Sequence, residues 1–188
     1  MVGAASTIRA ARSGDICILL VPSRPLSSDV NALLERFRRA FGGRIVAPLH
    51  VTVDRVADGD TEILVSAVRE CVPRLRRAAI RVNAAFVLRS EYRGADVLKL
   101  DVAREDALDH DIDELRAAVR VAGLNPMYGD DRSMTVTALE RIERPAALDA
   151  VPWDLPLDLF VGDTLLVSRI RGVGSYEILA TANLLTSG

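Results

Sequence analysis

At 188 residues, with 49% apolar and 27% charged side chains, the chain is long enough for one folded domain or two small lobes sharing an interface, and too apolar for a disordered polymer. A formal net charge of -2 predicts no general attraction to polyanions and leaves only a local basic pocket as a polyanion site. Cys17, in an apolar run, and Cys71, near the end of a helical pattern, read as reduced core residues rather than a disulfide or half of a metal site. No run approaches the roughly 20 apolar residues that cross a bilayer, so neither signal peptide nor membrane segment is expected, and the expected location is cytoplasmic.

Residues 1–14 read as a flexible tail, with 15–188 as one domain. Asp15 to Val21 (DICILLV) reads as a buried strand ended by Pro22. Ser27 or Ser28 caps a helix whose Val30, Leu33, Leu34, Phe37 and Phe41 recur on one face, and Gly42 and Gly43 stop it. A short alternating strand follows from Leu49 to Asp54. Asp60 opens a second helix carrying Leu64, Val65, Val68 and Cys71, closed by Pro73. Strands are expected at about Ile80 to Leu88 and Asp96 to Ala103, joined through Arg93-Gly94. In the second of these, Leu98, Leu100 and Val102 share one face and Val97, Lys99 and Asp101 the other.

Asp111 and Glu114 have capping-box spacing for a third helix, whose stripe is Ile112, Leu115 and Val119 and whose stop is Gly123. Then come the loop LNPMYGDD, a strand through SMTVTAL, and a linker containing Pro145, Pro152 and Pro156. Two closing strands, Leu159 to Ile170 and Ser175 to Ala182, flank a hairpin turn at RGVG. The order strand, helix, strand occurs twice: ICILLV to HVTVDRV is echoed by DVLKLDV to TVTALERI. That echo predicts two equivalent lobes.

Alternation places His50 and Thr52 on one face of LHVTVD, about 6.6 Å apart at twice the strand rise. Thr135 and Thr137 share a face of SMTVTAL in the same way. His50 can carry a proton in either direction near neutral pH, and threonine hydroxyls donate to phosphate oxygens. Threonines also suit strands and histidines are often structural, so composition alone leaves the role of these four residues open. His110 reads as an exposed residue near the start of the third helix. The two histidines with scattered acids make no recognisable metal site, and no glycine-rich phosphate loop, CxxC pair or serine elbow is present.

Together the early strand and helix, IVAPLHVTV, the second strand-helix unit, TVTAL and the closing FVGDTLLVSRIRGVGSYEILATANL resemble the two-histidine (2H) phosphoesterase superfamily, with its RNA ligase-like and cyclic phosphodiesterase proteins. The resemblance spans most of residues 14 to 185. It implies an α+β fold of two pseudo-symmetric lobes of antiparallel strands with flanking helices around a central groove. The family's first His-x-Thr/Ser-x motif matches His50-Val51-Thr52-Val53. Its second matches Thr135-Val136-Thr137-Ala138, with Thr135 in the histidine position. In the resembling enzymes one histidine acts as base and the other as acid on a 2',3'-cyclic or 2'-5' phosphodiester, while the threonines steady the phosphate.

By that resemblance His50 is the catalytic residue, and Thr52, Thr135, Thr137, Arg132, Lys99 and Tyr128 are candidate substrate contacts. Arg132 and Lys99 suit phosphate charge better than proton exchange; Tyr92, Arg169, Arg171 and Tyr176 are weaker candidates. No metal or other cofactor is expected, the expected partner is a nucleotide or RNA-end phosphate, and the chain is expected to be a monomer. Three functions stay open: a divergent phosphoesterase using His50, a silent relative that binds a nucleotide or phosphorylated small molecule, and a protein-interaction or structural domain.

Overall fold

The computed structural model describes residues 9–57, 59–128, 134–145, 151 and 153–184. Its framework is a curled antiparallel sheet of nine strands with helices packed on one side. The strands are β1 (Ile16–Val21), β2 (Arg44–Ile45), β3 (Val51–Val56), β4 (Ala78–Ser90), β5 (Ala95–Val102), β6 (Thr135–Glu140), β7 (Leu157–Gly162), β8 (Thr164–Gly172) and β9 (Ser175–Asn183). They follow the order β7-β4-β5-β6-β3-β1-β8-β9, with β2 paired to β6 outside that path. Helices α1 (Ser28–Phe41), α2 (Thr61–Cys71) and α3 (Asp106–Val121) complete the set.

The two faces of the sheet are already distinct in β1. Its Ile16, Ile18 and Leu20 enter the main core with the helices, while Cys17, Leu19 and Val21 join Ile170 in a second, smaller cluster on the other face. Every residue of β1 is therefore buried, which explains its unbroken apolar run. In β5 the split is Leu98, Leu100 and Val102 toward the core, leaving Lys99 and Asp101 on the face without helices. In β6, Val136, Ala138 and Leu139 are in the core, and Thr135 and Thr137 are half-buried opposite it.

The helices form where caps and stripes coincide. The Ser27 hydroxyl accepts from Val30 N at 3.3 Å, and Val30, Leu33, Leu34, Phe37 and Phe41 make the buried face of α1. Phe37 meets Trp153 edge-on at 5.5 Å between ring centroids. Asp60 caps α2 by accepting from Glu62 N and Ile63 N, and a 3₁₀ turn, Val72–Arg74, carries Pro73 just past the last helical residue. No described helix is long and apolar enough to cross a membrane.

Four expectations need correction. Helix α3 starts at Asp106, and its flanking residue Glu105 makes no side-chain cap. The Asp111–Glu114 spacing therefore falls inside the helix, where the Asp111 carboxylate accepts from Arg76 N at 2.8 Å and so holds the chain entering β4. The expected strand from Leu159 to Ile170 is two strands at distant places in the sheet, β7 beside β4 and β8 beside β1. Asp163 makes the break: its carboxylate accepts from Ser23 N and Ser23 Oγ, both at 2.6 Å. Gly162 meets Leu20 so closely that a Cβ would sit 2.6 Å from Leu20 Cγ. Alternating apolar residues on both sides of Gly162-Asp163 hide this break in the sequence.

Leu49 and His50 precede β3, which begins at Val51. Finally, residues 9–14, read as part of a tail, are hydrogen-bonded at the start of the sheet: Arg9 and Arg12 N donate to Asp15, just before β1, and Gly14 N donates to Ile170 O of β8. Arginine and glycine in a polar N-terminal stretch carry no periodic signal, so only the partner strand reveals their place.

Candidate active site

The register between two short strands builds the site. Val51 of β3 is paired with Val136 of β6 in antiparallel sense, so the residues flanking them fall opposite each other with crossed polarity: His50 toward Thr137, and Thr52 toward Thr135. Both valines are buried in the main core, and their four polar neighbours therefore face the helix-free side. On the other edge of β6, Lys99 pairs with Thr137 and Asp101 with Thr135. Lys99 Nζ reaches diagonally to donate to Thr135 Oγ1 at 3.1 Å.

These side chains line a cavity of about 80 Å³ whose walls are His50, Thr52, Lys99, Arg116, Tyr128, Met134, Thr135 and Thr137. Six of the seven residues singled out from the sequence thus lie around one small polar space. The seventh, Arg132, lies outside the described residues. A wider groove of about 500 Å³ opens above it, adding Arg55, Tyr92, Arg93 and Tyr176 among others. On its other side His50 also lines a separate cavity of about 400 Å³, whose walls include Leu19, Ile45, Pro48, Leu166 and Tyr176.

His50 is 9% exposed, and its Nδ1 lies 2.9 Å from the Pro48 carbonyl oxygen. A carbonyl only accepts, so Nδ1 carries the hydrogen and the neutral ring keeps its lone pair on Nε2. Burial lowers the imidazole pKa below its ordinary value, and the charges of Arg93 and Lys99 lower it further; the Pro48 hydrogen bond opposes them. The ring is consequently a neutral acceptor at neutral pH. Tyr176 stands edge-on to it, 6.1 Å between centroids, and burial pushes the Tyr176 phenol up to about 12, which keeps it uncharged.

Behind the cavity, buried carboxylates hold the cations in place. Asp54 accepts from Arg116 Nε at 2.9 Å through one oxygen, and from the backbone N–H groups of Arg55, Met127 and Tyr128 through the other. One aspartate thereby fixes both Arg116 and the segment that places Tyr128. Arg55 pairs with Asp15 and lies over the Tyr128 ring, 5.9 Å from its centroid. Burial raises the Asp15 pKa, but hydrogen bonds from Arg9 and Arg12 N and the Arg9 and Arg55 charges outweigh it, leaving the carboxyl below its ordinary value.

Arg93 pairs with Glu140, which also binds Arg44. Glu140 reaches this side because the β5–β6 register shifts between Leu98 and Lys99. That bulge moves Leu139 to the core face and Glu140 to the opposite face, where it lines the cavity of about 400 Å³.

Sequence reasoning missed Arg55, Arg93, Arg116, Asp54 and Glu140. Asp54-Arg55 left a trace, since a charged pair breaks the alternation of the β3 segment. Arg93 left none: its partner Glu140 is remote in the chain. Arg169 and Arg171 bond to Thr61 and Glu177 and do not line the cavity. Among the described residues, no group of three or more His, Cys, Asp or Glu is placed to hold a metal ion. His110 is exposed on α3.

The arrangement defines a class of fold: a curled antiparallel sheet, helices on one side, and a polar groove on the other. That fold is shared with several solved structures. The crystal structure of TT0787 of Thermus thermophilus superposes with a TM-score of 0.61 at 19% identity, covering 90% of this chain and 97% of that one. A crystal structure described as a phosphoesterase gives 0.60 at 16% identity, with 91% and 98% covered. E. coli LigT complexed with 3'-AMP gives 0.54 at 20% identity, with 92% and 99% covered. No family model matches the sequence, and no curated protein sequence matches it.

Proposed function

We propose that the protein is a divergent 2H-type phosphoesterase that hydrolyses a 2',3'-cyclic or 2'-5' phosphodiester in a small nucleotide or RNA end, with His50 as the general base. The observation that carries this reading is the Val51–Val136 pairing, which sets His50-x-Thr52 against Thr135-x-Thr137 across one cavity. The mirrored strand orders β8-β1-β3 and β4-β5-β6 support the two-lobed arrangement expected of that superfamily. The likeness of fold to LigT, itself solved with 3'-AMP, ATP and phosphate, adds support for a phosphate-bearing ligand.

In this reading the phosphate sits among Thr52, Thr135, Thr137 and Lys99, with Tyr128 on the wall. The three hydroxyls line the cavity as donors for charge on the nonbridging oxygens. His50 Nε2 takes a proton from the attacking water. The test is turnover of 2',3'-cyclic nucleotides and 2'-5' linked dinucleotides. Activity that falls about 10² to 10⁴-fold in His50→Ala is expected; activity unchanged in that variant would remove His50 from the chemistry.

One observation favours a second reading, in which the protein binds a nucleotide or phosphorylated small molecule without turning it over. Thr135 occupies the position of the second histidine, and a hydroxyl does not exchange protons near neutral pH as imidazole does. Nucleotide binding with no turnover of any ester in the panel would establish that reading.

A further inference from the structure

Cleaving a phosphodiester by water moves two protons, one off the nucleophile and one onto the leaving oxygen. His50 is placed for the first, since its only hydrogen is held by Pro48 O. The second needs a donor elsewhere on the cavity wall. Arg116 does not give up its proton in proteins and is tied to Asp54. The Tyr176 phenol lines the wider groove rather than that wall, is a weak acid at about 12, and stands beside His50. Lys99 is different in kind: an ammonium that is ordinarily charged at neutral pH, on the β5 side of β6, with Nζ 3.1 Å from Thr135 Oγ1.

We infer that Lys99 is the proton donor to the leaving oxygen, so that the site works with one histidine and one lysine and Thr135 positions the ammonium. The inference rests on the phosphoesterase reading above. As water oxygen bonds to phosphorus, its proton passes to His50 Nε2. The bond from phosphorus to the ester oxygen breaks, its electron pair stays on that oxygen, and Lys99 Nζ supplies the proton that makes it a hydroxyl. A cyclic ester gives one nucleoside monophosphate that carries the freed ribose hydroxyl, and a linear diester gives a phosphomonoester and an alcohol; His50 then releases a proton to solvent and Lys99 regains one. No oxidant, reductant or further reactant enters.

A donor of this kind matters only where the leaving group needs a proton, and that separates proton donation from charge attraction. The decisive comparison uses a 2',3'-cyclic nucleotide, which expels an alkoxide, and bis(p-nitrophenyl) phosphate, which expels a phenolate stable without a proton. Lys99→Met keeps the aliphatic stem and removes the ammonium. The expected loss is about 10² to 10⁴-fold on the cyclic nucleotide and much smaller on the nitrophenyl ester. Lys99→Arg, which restores charge without a transferable proton, is expected to stay impaired on the cyclic nucleotide. Adding Thr135→His to Lys99→Met is expected to recover part of the loss by placing an imidazole at that point of the wall.

Equal losses on both esters, or full activity in Lys99→Arg, would reduce Lys99 to a phosphate contact and overturn the inference while leaving the phosphoesterase reading intact. Unchanged activity in a folded Lys99→Met, judged by circular dichroism and thermal midpoint, would overturn it as well. A parent protein silent on both esters would overturn the phosphoesterase reading and this inference together.

Discussion

Val51 on β3 lies directly opposite Val136 on β6, and this single pairing decides that Thr52 faces Thr135 and His50 faces Thr137. Because both valines are fully buried, a slip by one residue would send the polar pairs into the core. The hydroxyls are therefore held at fixed positions in the cavity. Thr137→Val keeps shape and removes one donor. It is expected to leave the thermal midpoint within a few degrees of the parent while weakening nucleotide affinity about tenfold or more, the loss of one hydrogen bond to a charged group. Calorimetric titration with a nucleoside monophosphate checks it.

His50 titrates below its ordinary value because burial and two neighbouring cations disfavour the imidazolium. Between that lowered pKa and the unfolded value of about 6.5, the unfolded chain holds a proton that the folded chain lacks. The contribution to stability is thus complete above about 6.5 and is lost as pH falls through the folded value. His50→Leu is expected to remove this part of the pH dependence, as read by urea unfolding at several pH values. The acid limb of any His50-dependent turnover is likewise expected below about pH 6.5, with the imidazole titration followed by NMR.

Asp54 supports the site from behind the cavity. It is 1% exposed and receives Arg116 together with three backbone N–H groups. Asp54→Ala takes from the buried Arg116 guanidinium its 2.9 Å carboxylate partner, leaving it the Val53 carbonyl and Asp113, and takes the side-chain acceptor from the three backbone N–H groups; the expected destabilisation is about 3 to 5 kcal/mol. Denaturant unfolding measures it. Loss of the Tyr128 position is expected in the same variant wherever it still folds.

Ser168 presents the opposite case. It is 1% exposed, lines the cavity of about 400 Å³ beside His50, and its Oγ has no hydrogen-bond partner among the described residues. Removing an unsatisfied buried hydroxyl is expected to be neutral or to stabilise the fold by up to about 1 to 3 kcal/mol. A Ser168→Ala protein with a lower thermal midpoint than the parent would show that the hydroxyl is satisfied.

Where sequence and structure agree, the information was local. Helix α1 could be read because one cap and five apolar residues at helical spacing lie close together in the chain, and the same holds for α2 behind Asp60. The faces of β5 and β6 could be read because alternation alone assigns them. Two of the misread places depend on partners distant in sequence. The false capping box at Asp111 is a carboxylate engaged by Arg76, and the single strand expected from Leu159 to Ile170 is broken by Ser23 binding Asp163.

The sequence by itself determined the apolar core, the helix faces and the presence of two His/Thr and Thr/Thr pairs on strand surfaces, because the alternation and helical periods are properties of a backbone a few residues long. Only the tertiary structure decided that the pairs face each other across one cavity, that Lys99 joins Thr135 there, and that Arg93, Arg116, Asp54 and Glu140 surround it. Those contacts join residues tens of positions apart through strand register, a bulge and buried ion pairs, and none of these leaves a period in the chain.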